Sequence, residues 1–410
     1  MTMAPLKSCR GCGSEQLRPL VDLGIQALSG MFLRPGQTVP SGPVRLVRCL
    51  GPSCGLLQLA HTADLNVLYG KDYGYRSGLN AGMARHLHEQ VSRIRTFAPL
   101  REGDLIVDIG SNDGTTLRGW PAGRYDLVGI DPTGAKFREF YPPQVRLVSD
   151  FFPSDAARRE LGGRKARVVT SFAMFYDLPD PLRFMREVAS LLAEDGVWMF
   201  EQSYMPAMLA TNAFDTVCHE HLEYYGLDQI LSLAGRAGLR ILDVEFNDVN
   251  GGSFCVVAGR TESRFPSQED KLRELLAEER RLGLDGDEPY LAFGRRISAA
   301  CAALLGFLQV AREEGKRAYG LGASTKGNIL MQRAGIGPEL IKAIGEVNPD
   351  KFGCVTPGTG IPIIPEDEML ACNPDYLLVL PWHFRKFFQA SPKFAGRPLV
   401  FPLPQLDIVR

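Results

Sequence analysis

At 410 residues the chain is longer than a single ordinary core, and two or three domains are expected. Apolar residues make up 45% and charged residues 23%, with a net charge of −1, so no overall electrostatic pull toward nucleic acid or an anionic membrane exists. The N-terminus carries no signal-like apolar run, and no stretch reads as a span of about 20 apolar residues, so a cytoplasmic protein without a membrane or nucleic-acid partner is expected.

Nine cysteines are too sparse for a disulfide scaffold. Four of them crowd the N-terminal part. Cys9-Arg10-Gly11-Cys12-Gly13 is a CxxC knuckle whose glycines permit a tight turn, and Cys49 and Cys54 supply a second pair. Two such pairs match a structural zinc site with four thiolate ligands and no open position. Residues 1–75 are read as this zinc-binding module.

Residues 76–262 alternate strand and helix signals, as in a doubly wound α/β sheet. Residues 83–97 are periodic and helical. Strands are expected at 105–109, 125–131, 145–150, 166–172 and 196–201, with a helix at 182–192. Residues 263–410 begin with charged connecting helices to about 315. A second Rossmann-like α/β unit then opens with strand, glycine loop and helix around Gly320, Gly322 and Gly327, and a later buried strand covers 375–380.

A parallel sheet binds ligands beyond the carboxyl ends of its strands, where the loop Gly110-Ser111-Asn112-Asp113-Gly114 falls. Asp131 follows about twenty residues on, where a carboxylate can take ribose hydroxyls. The spacing is GxxxG rather than the dinucleotide GxGxxG. Asp108 and Asp113 would repel a pyrophosphate but suit a sulfonium and an ammonium, which points to S-adenosylmethionine. Asp150 offers an acceptor for the adenine amino group, and Phe151 with Phe152 an aromatic wall.

His219-Glu220-His221 is not a zincin motif, since its histidines stand two apart and do not meet on a helical face. Histidine titrates near neutrality. His221 is the favoured base, Glu220 is next in line, and His219 is read as structural.

At this point the chain resembles the S-adenosylmethionine-dependent sugar C-methyltransferases of antibiotic deoxysugar biosynthesis, including those acting at C3 of dTDP-4-keto-hexoses. The resemblance spans almost the whole chain. It rests on the four N-terminal cysteines, Tyr73-Gly74-Tyr75-Arg76-Ser77, the 107–114 loop, His219-Glu220-His221, the 322–328 loop, Asn348-Pro349-Asp350-Lys351, Pro357-Gly358-Thr359 and Trp382-His383-Phe384. It implies a zinc module, a central class I methyltransferase domain and a C-terminal domain that helps hold the sugar nucleotide. It also implies deprotonation beside a C4 ketone, then attack of the enolate on the cofactor's methyl group. By the same resemblance His221 is the base, Glu220 and Tyr75 lie beside the reacting sugar, and Ser77 touches the cofactor. Lys326 and Lys351 would take the diphosphate, and Tyr224, Asn328, Trp382 and His383 the substrate.

Two departures leave the ring carbon open. Some members carry a tyrosine where this chain has Cys218, and a histidine at the position of Tyr176, which could instead hydrogen-bond the enolate oxygen. C3 leads. A C5-methyltransferase, or one that also reduces the ketone with NADPH, is the alternative; O- or N-methylation and an RNA-binding module are further ones. Nothing requires a dimer, and a monomer is expected.

Overall fold

The computed structural model describes residues 3–70 and 73–410. The central sheet has seven strands: Leu105–Ile109, Asp126–Ile130, Arg146–Val148, Ala166–Phe172, Leu192–Ser203, Leu239–Asn247 and Ser253–Arg260. Numbered in that sequence, their spatial order is 6-7-5-4-1-2-3, and only Ser253–Arg260 runs against its neighbours. Both faces are covered, so the first strand is buried at every position, as parallel strands between helices require. The order reverses between Leu105–Ile109 and Ala166–Phe172, which opens the crevice where such sheets bind ligands. Ala81–Phe97, capped by Asn80, and Pro181–Leu191, with Asp180 at its cap and Pro181 in the first turn, are among the helices that pack on the sheet.

The C-terminal sheet comprises Ala318–Leu321, Ile341–Glu346, Ile363–Pro365, Tyr376–Val379, Leu399–Phe401 and Asp407–Val409. Counted the same way, its order is 3-2-1-4-5-6, the dinucleotide-type doubly wound arrangement, with the last strand antiparallel.

The N-terminal sheet carries the strand that matters most for the site. Leu17–Ala27, Ser41–Cys49 and Leu57–Leu59 pair antiparallel, and the fourth strand is Glu223–Tyr224, directly after His219-Glu220-His221. Glu223 pairs with Gln58 and Tyr224 with Leu57. The acid–base segment thus leads, through Leu222, into the edge strand of the cysteine module's sheet.

Helix Glu288–Glu313 is, among the described residues, long and apolar enough to cross a membrane by length and composition, which corrects the expectation that no stretch reaches that size. Its stripe Tyr290, Phe293, Ile297, Leu304 and Leu308 is buried in a core shared with the N-terminal and C-terminal sheets. Helical periodicity with Arg295 and Arg296 on the remaining surface had hidden its apolar average.

Candidate active site

The glycine loop leaves the first central strand at the crevice. Gly110 and Gly114 both have φ of 73°. A Cβ at Gly114 would stand 2.9 Å from the Tyr141 ring, and one at Gly110 2.8 Å from Met174, so both positions need glycine. The Asp131 carboxylate accepts from the backbone of Asn112 at 2.8 Å and of Thr133 at 2.6 Å, which fixes the loop against the next strand end. Asp108 is buried; one oxygen accepts from Thr170 Oγ1 at 2.6 Å and the other has no protein partner. Burial pushes its carboxyl up to about 7.

Asn112 ties a separate segment over the loop. Its side chain accepts from the Ser77 backbone at 2.9 Å and donates to the Tyr75 carbonyl at 3.2 Å. Tyr75 is half exposed. Asp113 is buried. It accepts from Gly78 at 3.1 Å, caps Thr115 and lies near Arg76 and Arg118. Asp150 accepts from the Phe151 backbone at 2.8 Å, and the Phe151 ring meets Tyr69 edge-on.

In the acid–base segment, His221 Nδ1 lies 2.7 Å from the Thr216 carbonyl. That bond requires a proton on Nδ1 and leaves the lone pair on Nε2. The Tyr176 ring packs against the imidazole with centroids 4.3 Å apart. Burial, and to a smaller degree Lys326, pulls His221 down to about 4, so the imidazole is neutral at neutral pH. His219 instead reaches Gly42 of the cysteine module through Nε2 at 3.2 Å. Glu220 is buried with Oε2 unpartnered, and burial raises its carboxyl above the usual range. The Tyr224 hydroxyl donates to the His221 carbonyl at 3.0 Å.

From the C-terminal side, Lys326 Nζ donates to the Asn250 carbonyl at 2.6 Å. Burial lowers its ammonium, with Asp215 and Cys218 opposing the shift. Trp382 Nε1 donates to Asp215 at 2.8 Å, and His383 packs on Trp382. Lys351 donates to the Ala323 carbonyl at 2.7 Å and lies over the Phe32 ring. Asn328 is fully buried and donates to Ser29 of the N-terminal module at 2.7 Å, so it joins two modules.

Cys9, Cys12, Cys49 and Cys54 place their four Sγ atoms within 4.8 Å of one another. The pairs Cys9–Cys54 and Cys12–Cys49 are 3.7 and 3.5 Å apart. A disulfide needs about 2.05 Å, whereas a tetrahedron of zinc–sulfur bonds near 2.3 Å has edges of about 3.8 Å. The four thiols therefore fit a zinc ion.

Three family models cover most of the chain: a zinc binding domain at residues 9–69, a methyltransferase domain at 83–244, and a C-methyltransferase C-terminal domain at 248–404. C-methyltransferase NovU of Streptomyces niveus is 29% identical over 99% of this chain and 97% of its own length. The chain belongs to the S-adenosylmethionine-dependent C-methyltransferases. Among solved structures, a Haloferax volcanii methyltransferase complex with the Trm112 activator matches at 15% identity and TM-score 0.38, over 48% of this chain and 97% of that one. The CcbJ methyltransferase of Streptomyces caelestis matches at 15% and 0.34, over 42% and 89%.

In this C-methyltransferase the orphaned oxygen of Asp108, buried beside the glycine loop, suits the cofactor's cationic end. Three polar groups of the C-methyltransferase escape the sequence reading. Asp177 accepts from the Tyr69 hydroxyl at 2.7 Å, has its other oxygen buried without a partner, and is raised well above the carboxylate range by burial. Asp215 is likewise buried with one oxygen unpartnered. Glu201 accepts from Asn247 at 2.8 Å and meets His86 Nε2 at 2.7 Å. Asp177 follows Tyr176 and Asp215 lies four residues before His219, but their side-chain partners are remote in sequence.

Proposed function

We propose that this enzyme methylates a carbon next to the C4 ketone of a dTDP-linked 4-keto-deoxysugar. The observation that carries the reading is the fixed tautomer of His221, which presents an unprotonated Nε2 from an imidazole packed against the Tyr176 ring. The ketone makes the neighbouring C–H acidic enough for an imidazole. Bound S-adenosylmethionine supplies an electrophilic methyl group on a sulfonium. His221 takes the proton, and Thr216 holds the resulting imidazolium through Nδ1. The Tyr176 hydroxyl is our candidate donor to the enolate oxygen, and the nearby Lys326 charge favours an anion there. Glu220 and Tyr75 would line the sugar.

Of the two carbons that flank the ketone, C5 has the stronger claim over C3. Cys218 and Tyr176, the two departures from the pattern of some family members, are both grouped with His221 and Glu220. Lys351, Trp382 and His383 would serve the nucleotide end. A nucleotide-linked substrate and this cofactor are cytoplasmic molecules, which supports a cytoplasmic location.

The test is mass spectrometry and NMR of a dTDP-4-keto-deoxysugar after incubation with enzyme and S-adenosylmethionine in deuterated water. One new methyl group on C5 is the expected product. A methyl on C3 moves the ring carbon. Methyl transfer to oxygen or nitrogen, or none with any keto-sugar, overturns the substrate class.

A further inference from the structure

Arg10 lies between two of the zinc-binding cysteines, yet its side chain is only 3% exposed. The guanidinium donates to the carbonyls of Leu59 at 2.8 Å and His61 at 3.2 Å, and to Thr62 Oγ1 at 2.7 Å. Its Nε faces the Glu223 carboxylate at 3.6 Å. Glu223 is wholly buried, neither of its oxygens has a hydrogen-bond partner, and Arg10 is the cation facing it. Gln58 makes a second link: it accepts from the Arg10 backbone at 3.0 Å, donates to Cys9 Sγ at 3.1 Å, and pairs with Glu223 in the sheet. The Leu59 amide closes the pairing on Leu222 at 2.8 Å.

A strand of two residues has little intrinsic hold on its register, and a slip by one residue would turn every side chain to the opposite face. A buried ion pair adds little net stability over an apolar pair, and its best-attested use is to fix register. We propose that Arg10 is a positioning residue for His221: the zinc knuckle, through Arg10 and Gln58, locks Leu222, Glu223 and Tyr224 in register and thereby aims the imidazole two residues earlier. The metal module is then part of the catalytic framework. This rests on His221 acting as the base.

The test compares Arg10→Gln, Glu223→Gln, the double variant and His221→Ala in the full-length, zinc-loaded enzyme. Zinc content, S-adenosylmethionine affinity, methyl transfer, and the imidazole signals of 15N-histidine-labelled protein are read, with the His221 signal assigned by its loss in His221→Ala. Arg10→Gln is expected to keep one zinc, to hold cofactor affinity within about twofold, to shift the His221 signal and to lower kcat about tenfold or more, as a displaced catalytic group does. The double variant removes both charges and should recover part of the loss. A wild-type His221 signal and kcat within about twofold in Arg10→Gln overturns the proposal. If that variant loses zinc or fails to fold, Glu223→Gln decides alone, because it leaves the knuckle intact; unchanged signal and kcat there overturn the proposal too. Full turnover by His221→Ala would remove the base reading instead, while the NMR comparison still reports whether Arg10 sets the imidazole.

Discussion

The carbonyl of Thr216 fixes the tautomer of His221 at 2.7 Å, five residues away in a segment that makes little regular structure. His221→Gln is therefore expected to lower methyl transfer by about 10²-fold or more while cofactor affinity stays within a factor of two. Isothermal titration with S-adenosylmethionine, run beside the turnover assay, checks both halves.

The same burial has a pH consequence. His219 and His221 are both held near pKa 4, below the usual 6.5 of the unfolded chain. Between those values the unfolded state binds more protons, so stability falls as pH falls from about 6.5 to about 4. Each imidazole would cost roughly 2 kcal/mol at pH 5 relative to pH 7. Urea unfolding at the two pH values should show the loss, and His219→Gln should reduce it. An unchanged pH slope in that variant would contradict the buried, neutral assignment.

Gly114→Ala tests the cofactor loop. The added Cβ meets the Tyr141 ring at 2.9 Å and the residue must hold φ of 73°. The expected result is a loss of about 1–3 kcal/mol in stability and weaker S-adenosylmethionine binding. Calorimetric melting and cofactor titration measure the two effects.

Asn112→Ala should act differently. It keeps both loop glycines but frees the strap at residues 75–77, because the hydrogen bonds to Ser77 and Tyr75 vanish, and the left-handed φ of 49° suits alanine less well than asparagine. The Michaelis constants for cofactor and sugar should rise together, with a smaller fall in kcat. A change in kcat alone would argue that the strap has no part in binding.

Legibility of these features in the sequence follows the range of the interactions. Strands such as Leu105–Ile109 and Ala166–Phe172 are short, buried apolar runs and read directly. Leu192–Ser203 begins earlier than its apolar stretch, because Glu194 and Asp195 interrupt the pattern. The hairpin of Leu239–Asn247 and Ser253–Arg260 went unread, since its turn at Asn250, Gly251 and Gly252 punctuates a stretch with charges on one strand. Cysteine spacing exposes the metal ligands, whereas the pairing of Leu57–Leu59 with Glu223–Tyr224 leaves no local trace. Site residues behave alike. His221 stands in an unusual cluster, but the bond of Asp113 with Gly78, the Asn328 link to Ser29 and the burial of Arg10 depend on partners far along the chain.

Trp382 and Asp215 provide the last test, at the junction of the C-terminal domain and the acid–base segment. Asp215 is fully buried, with one oxygen on Trp382 Nε1 and the other unpartnered, and Lys326 lowers its pKa against the upward pull of burial. Trp382→Phe removes the indole donor and leaves both oxygens dependent on Lys326. The expected cost is about 1–3 kcal/mol, the usual price of an unsatisfied buried acceptor. Part of it should be regained in Trp382→Phe/Asp215→Asn, where no buried carboxylate charge is left without its indole donor. Because Lys326 also depresses His221, losing the Asp215 charge leaves that lysine uncompensated and should move the acid limb of kcat/KM to still lower pH. Equal limbs in Asp215→Asn and wild type would separate this cluster from the base.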